Sequence, residues 1–262
     1  MIPEHFEQRI RTALRYRQKA LLQQLSPYPA MQKPVYLILS HPRSGSTLLH
    51  TYLNSHPRLW SFGEVFYGER FAQDQQLLEE QIDTSLAQPY KPPMAWVGAK
   101  FFFEYAEDQR VNIISWLKEQ SIPVRIIYLK RENLLRLWVS LQIAEKTNQW
   151  SLRNPSQRLP LAERRLRVAP EQCLRELRKL ERQAQEGLRL VSGWEQITVT
   201  YEALSANPQE TLAAVQDFLG VPRISLFAPQ QKQNPDALPL LIENYQEVQD
   251  TLENSPWAGN LE

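Results

Sequence analysis

Pro34 to Leu49 reads PVYLILSHPRSGSTLL, an apolar run that breaks at Arg43-Ser44-Gly45-Ser46-Thr47 and resumes as an amphipathic pattern. Val35-Tyr36-Leu37-Ile38-Leu39 is short, continuous and β-favouring, the pattern of a strand covered on both faces of a parallel sheet. Gly45 lets the backbone bend close to a ligand, and Ser46 and Thr47 are expected to cap the helix that Leu48, Leu49, Tyr52 and Leu53 continue. A helix begun this way points unpaired N–H groups and a partial positive charge into the turn, and Arg43 adds a full charge. The segment therefore predicts strand, anion-binding turn and helix, with phosphate or sulfate as the anion. It is not the nucleoside-triphosphate loop, which ends in Gly-Lys-Ser/Thr, because Gly45 is followed directly by Ser46. A ligand-free strand-turn-helix with a serine cap is the plainer reading of the same residues.

A second segment, Val124 to Ser140 (VRIIYLKRENLLRLWVS), repeats the design. A buried-strand run ends at Lys130-Arg131 and passes into a helical pattern in which Leu134, Leu137, Trp138, Leu141 and Ala144 form an apolar stripe. Asn133, Ser140 and Thr147 fall on a different, polar face. Arg131 at the strand end and Ser140 in the second turn can lean toward one anion, with Lys130 as the alternative to Arg131. Later, Gln196-Ile197-Thr198-Val199-Thr200-Tyr201 reads as a strand followed by a turn, and Asn207-Pro208 opens a helix ending at Leu219-Gly220.

These three segments, in this order, resemble the sulfotransferases that use 3′-phosphoadenosine-5′-phosphosulfate (PAPS), over a span from about Pro34 to the C-terminus. PRSGST with Glu64 shortly after it, and Ala144, Thr147 and Trp150 at three-residue steps, is most similar to bacterial carbohydrate sulfotransferases such as the trehalose enzymes. The resemblance implies that Ser44, Gly45, Ser46 and Thr47 hold the 5′-phosphate while Arg43 neutralises the bridging oxygen as PAP leaves. It implies that Arg131 and Ser140 hold the 3′-phosphate, although they stand one residue further apart than is usual in the family. Tyr201 matches a family tyrosine near the adenine, and Lys232 sits where basic residues close over the 3′-phosphate. Core packing for Tyr201 and simple solvation for Lys232 are the alternatives.

Transfer of a sulfuryl group to a hydroxyl needs positioning, charge stabilisation and one base. The histidines are His5, His41, His50 and His56, none past the first motif where the phenol and steroid enzymes place their catalytic histidine. Trp60-Ser61-Phe62-Gly63-Glu64-Val65-Phe66 instead sets one carboxylate among aromatics, matching the glutamate base of the carbohydrate enzymes. Burial there would raise the carboxylate's pKa, and Arg43 or Lys100 would lower it. A helix-cap or surface glutamate is the alternative. Lys100 lies in the strand-like run Trp96 to Phe103, where the family often has a lysine near sulfate or acceptor; escape of its ammonium to solvent is the other outcome.

At 262 residues the chain is long enough for one α/β domain: a central parallel sheet of four or five strands near 35–40, 97–103, 124–130 and 196–201, flanked by helices, with donor and acceptor meeting at the strand carboxyl ends. Residues 1–33 form an N-terminal amphipathic helical extension, and 34–262 the sulfotransferase domain. Net charge is +1, which provides no global field for nucleic acid. Cys173 stands alone, excluding an internal disulfide and any multi-cysteine metal site, and no metal is expected. No apolar run reaches spanning length and the opening residues lack the apolar segment of a signal peptide, so a cytoplasmic enzyme without an integral membrane segment is expected.

Phe6, Ile10, Ala13, Leu14 and Leu21 mark the side on which the N-terminal helix should pack, against the domain or a partner subunit, with homodimerisation through either terminal region open. Residues 149–169 lose their period and collect arginines, including Arg153, reading as an acceptor-site lid or a solvated connector. Pro170 then opens a helix with Leu174, Leu177, Leu180 and Ala184 inward. Trp60, Phe62, Phe66, Tyr67 and Trp150 are candidate platforms for a small hydroxyl-bearing acceptor, or core. A small-molecule kinase would need a phosphate-loop lysine and Mg²⁺ ligands that do not appear. A non-catalytic nucleotide-binding scaffold would keep Arg43, Arg131 and Ser140 without using Glu64.

Overall fold

The computed structural model describes residues 4–66, 74–105, 107–152, 154–230 and 233–261, so Tyr67, Arg153 and Lys232 lie outside the described residues, as does the side chain of Phe6. Five strands, β1 (Val35–Ser40), β2 (Leu59–Ser61), β3 (Trp96–Phe102), β4 (Val124–Lys130) and β5 (Glu195–Thr200), form one parallel sheet in the order β2-β3-β1-β4-β5. Four of them fall where the apolar runs placed them. The fifth, β2, is only three residues long and carries no run of its own to reveal it.

Among the described residues there are eight longer helices around the sheet and its outer layer: α1 (Glu4–Leu25), α2 (Ser46–Ser55), α3 (Gln75–Ile82), α4 (Glu107–Glu119), α5 (Leu134–Thr147), α6 (Pro170–Leu190), α7 (Pro208–Phe218) and α8 (Tyr245–Leu252). Alternation along β1 divides the core. Val35, Leu37 and Leu39 face a cluster with Leu78 of α3 and Ile113 and Leu117 of α4, whereas Tyr36 and Ile38 face Leu49 and Leu53 of α2 and Leu212 and Val215 of α7. A third cluster joins α5, α6 and α8 through Leu137, Trp138, Leu177, Leu180 and Val248. On α6 the predicted stripe is inward at Leu177, Leu180 and Ala184, joined by Cys173, while Leu174 is only partly covered.

The order of strands positions the site. From β1 the chain moves outward to β2 and β3 on one side, then crosses to β4 and β5 on the other, so β1 and β4 sit at the switch point, where loops at the carboxyl ends diverge and leave a crevice. The turn after β1 and the start of α5 after β4 both open there.

Gly98 explains its own place in β3. It stands opposite Tyr36 in the β1 register, and a Cβ on it would lie 2.2 Å from the fully buried Tyr36 ring. The ring occupies the space that any side chain at 98 would need. Gly98→Ala is expected to destabilise the fold by about 1–3 kcal/mol, as overpacked cores do. Gly193→Ala, whose Cβ meets nothing within 4 Å, is the control expected to stay near neutral; chemical denaturation of both variants reads the difference.

Candidate active site

Two residues of the turn after β1 adopt left-handed backbone, Arg43 at φ 66° and Gly45 at φ 89°. Gly45 is itself the residue that caps α2, with no side-chain bond at the cap. The expectation that Ser46 and Thr47 cap this helix is therefore corrected: both lie inside its first turn, and the leading N–H groups are left to face the crevice. That arrangement has the form of the backbone nests that accept anions at helix N-termini. Gly45 is required on two counts, since a Cβ there would also lie 2.5 Å from the Tyr201 ring.

The nest is braced from β4. Arg131, just past the strand, donates from its guanidinium to the Arg43 carbonyl at 2.9 Å and stands 4.8 Å from the centre of the Tyr201 ring. Arg43 sends its own guanidinium the other way. Its Nε donates to Ser140 Oγ at 3.3 Å, and its terminal nitrogens donate to the Trp150 carbonyl and to Gln233 Oε1. Asn234 Nδ2 also donates to Ser140 Oγ, at 3.4 Å. Burial, with Arg131 close by, pushes Arg43 down to about 10, which leaves it charged at neutral pH.

A cavity of about 290 Å³ is lined by Arg43, Gly45, Ser46, Thr47, Arg131, Ser140 and Tyr201, so the structure brings these seven candidates together. Ser44 is not among them. Its hydroxyl is buried and donates to the His41 carbonyl at 2.6 Å, which tightens the turn from behind. Lys232 lies outside the described residues. Its neighbours Gln233 and Asn234 do reach the site, as does Arg136, which donates to the Asn234 and Asp236 carbonyls.

Glu64 and Lys100 meet beyond the other end of the nest. Pairing continues past β2, with Phe62 N donating to the Gly98 carbonyl and Lys100 N to the Gly63 carbonyl, both at 2.8 Å, and this register sets Glu64 beside Lys100. Lys100 Nζ donates to Glu64 Oε1 at 2.8 Å and to Thr47 Oγ1 at 2.7 Å. The lysine is 3 % exposed, whereas the Glu64 side chain keeps 44 % of its surface open to solvent. Burial lowers the Lys100 pKa, and Glu64 opposes that shift. A carboxylate is thus linked to the first turn of α2 through one ammonium.

Described residues of the 149–169 segment are held to residues 233–236. Arg164, 4 % exposed, pairs with Asp236 at 2.6 Å and donates to the Leu159 carbonyl, while Gln233 donates to the Gln149 carbonyl. Trp150 lines the cavity and is 46 % exposed. Trp60 and Phe62 pack against the core, and Phe66 is buried in it. Among the described residues no helix is long and apolar enough to cross a membrane.

Residues 34–121 match the family model described as "Sulfotransferase family", a span that holds the nest, Glu64 and Lys100. Nodulation protein H of Rhizobium tropici is 26% identical over 249 residues, covering 87% of this chain and 92% of that protein. A solved sulfotransferase from Alicyclobacillus acidocaldarius superposes with a TM-score of 0.50 at 16% identity, covering 85% of this chain and 95% of that one, and shares the fold. Mouse sulfotransferase SULT7A1 complexed with PAP aligns at a TM-score of 0.40 and 18% identity, over 79% of this chain and 65% of that one. Over residues 34–121 the sequence is thus similar to the sulfotransferase family, and the chain as a whole has a sulfotransferase-like fold.

His50 provides a stability probe next to the site. Its Nδ1 is 2.6 Å from Ser61 Oγ, and burial, reinforced by Lys100 and Lys19, pushes it down to about 3. The unfolded chain binds a proton at the ordinary histidine pKa near 6.5 and the folded chain does not, so this group makes stability fall as pH drops from about 6.5 toward 3. His50→Gln is expected to flatten that slope, as measured by denaturant midpoints at pH 7, 5.5 and 4.5.

Proposed function

We propose that the chain moves a sulfuryl group from PAPS to a hydroxyl of a carbohydrate or other small polar metabolite, with Glu64 as the base and PAP as the product. The observation that carries this reading is the bonded path Glu64–Lys100–Thr47, which links a half-exposed carboxylate to the same helix end that caps the nest. A scaffold that only bound nucleotide would have no use for it.

The site divides into two ends. Arg43, Arg131 and Ser140 gather at one, a concentration of positive charge and hydroxyl suited to the 3′-phosphate. The α2 N–H groups, Ser46 and Thr47 cradle the 5′-phosphate at the middle, and Lys100 and Glu64 stand at the other end. Tyr201, between Gly45 and Arg131, offers a ring face to the nucleotide base.

In this reading Glu64 takes the proton from the acceptor hydroxyl as its oxygen forms a bond to sulfur in line with the breaking bond to the phosphate oxygen. The electron pair of that broken bond stays on the leaving phosphate. Lys100 and the α2 N-terminus neutralise the charge that gathers there, without reorganising as it forms. Arg43 points toward Ser140, so contact with the bridging oxygen requires it to exchange its present partners; Lys100 needs no such movement. Trp150, half open at the cavity rim, is a platform for an acceptor ring. PAPS is made in the cytosol, which makes the cytoplasm the natural setting.

Glu64→Gln is expected to keep PAP binding and lose turnover by roughly 10²–10⁴-fold. Full turnover in that variant, with PAPS and a screened acceptor, would remove Glu64 from the mechanism.

Donor selectivity is tested by melting the protein with PAP, ADP or AMP, without added metal. At a hundredfold excess over its dissociation constant a native-state ligand adds roughly 2.7 kcal/mol, a readable shift. PAP is expected to stabilise well beyond ADP, and Ser140→Ala or Arg131→Met to bring the two closer together. Equal responses to PAP and ADP in the unaltered protein would refute the 3′-phosphate assignment.

A further inference from the structure

Helix α1 is packed with its polar side inward. Lys19, 1 % exposed, donates to the Asn54 carbonyl at 2.5 Å, to Asn54 Oδ1 at 2.8 Å and to the Leu59 carbonyl at 2.6 Å, and lies over the rings of Tyr16 and Trp60. Gln23, one turn on, exchanges hydrogen bonds with the backbone of Lys91. The apolar side faces outward instead: Ile10, Leu14, Leu21 and Leu25 are 45, 58, 52 and 70 % exposed. Of the two packings expected for the stripe through Ile10, Leu14 and Leu21, on the domain or on a partner subunit, the first is excluded.

At 3.6 residues per turn these four positions fall within about 60° of arc. So narrow a stripe has the form of a helix–helix seam, not of the broader face that a globular core or a bilayer covers. Its spacing also has a symmetry of its own. The intervals are four, seven and four residues, the same read in either direction. An antiparallel copy related by a twofold axis between residues 17 and 18 therefore sets Ile10 against the second copy's Leu25 and Leu14 against the second copy's Leu21. A twofold interface must be self-complementary in this way.

We propose that a second copy of this chain covers the stripe, through an antiparallel α1–α1 pair with Leu14 and Leu21 at its centre. Tyr28 and Met31, 62 and 55 % exposed, are further large apolar side chains that follow Leu25 in the chain. The whole amounts to roughly 1,000 Å² over both copies, the lower edge of specific interfaces, so the dimer is concentration-dependent. Arg17, exposed at the flank of the seam beside the axis, brings like charges together, and added salt strengthens the association by screening them.

Sedimentation velocity on the full chain, from about 1 to 100 µM, is expected to show the mass moving from one copy to two, with the midpoint shifting to lower concentration as salt is raised. The double variant Leu14→Glu, Leu21→Glu is expected to remain monomeric with unchanged circular dichroism, because both side chains are exposed. The register is read independently of that variant: Ile10→Cys with Leu25→Cys forms a covalent dimer on mild oxidation, and Ile10→Cys alone does not. Cys173 is buried and supplies no competing thiol. A chain monomeric throughout, a dimer that survives the glutamates, or cross-linking by the single cysteine overturns the proposal. Recruitment of a monomer to anionic lipid vesicles, weakened by salt, would assign the stripe to a membrane surface instead.

Discussion

The bond from Arg131 to the Arg43 carbonyl is the constraint on which the site depends. A non-glycine residue at φ 66° persists only where its surroundings hold it, and here the hold comes from a different strand. Arg131 fixes the carbonyl of Arg43 from the front and Ser44 ties back to His41 from behind, so the turn is clamped on both sides of its left-handed residue. With the backbone fixed, Gly45 can cap α2 without a side chain and leave the helix end open. An anion site made of backbone N–H groups is only as good as the rigidity of that backbone. The arginine that adds charge to the site is thus also the one that shapes it.

Parallel pairing adds the second half. β2 contributes little core, yet its register with β3 runs on through Phe62 and Gly63 and delivers Glu64 to Lys100. Lys100 is buried in β3, where an ammonium needs acceptors, and it finds them in Glu64 and in Thr47 of α2. The burial that makes the lysine dependent on partners is what joins the Glu64 carboxylate and the nest into one unit. Sheet register, more than loop conformation, sets the distance between them.

Four of the five strands were legible because a parallel sheet requires continuous apolar runs, and α1, α2, α5, α6 and α7 from their starts and apolar stripes, whereas α3, α4 and α8 were not placed. That Arg43, Gly45, Arg131 and Ser140 share one cavity and that Glu64 lies near Lys100 follows the order of the motifs and the isolation of a charge within an apolar run. Other parts of the site had no such signal. Gln233 and Asn234 act through neutral amides in a segment without periodicity, and the sequence draws attention to Lys232 beside them instead. Ser44 is a motif residue whose hydroxyl turns inward for a local bond, an outcome that short polar side chains in tight turns always have open to them. The capping expectation for Ser46 and Thr47 failed for a related reason: the left-handed glycine moved the helix start forward by its own geometry.

Helix α1 shows the limit of pattern reading most clearly. Periodicity finds the apolar face correctly, but packing of that face on the domain, one of the two outcomes it allows, requires the neighbouring surface to be apolar too. Here the neighbouring surface presents the Asn54 and Leu59 carbonyls, acceptors left over where α2 ends and β2 begins, and an apolar helix face would bury them without donors. Lys19 satisfies them, and the rest of the helix follows its orientation. The consequence reaches the site. Asn54 also donates to the Ser61 carbonyl at 3.0 Å, and Ser61 Oγ bonds His50 next to Gly63, so the contact that turns α1 over also braces the strand leading to Glu64. An extension that composition alone would separate from the rest of the chain is wired into the side of the sheet that carries Glu64.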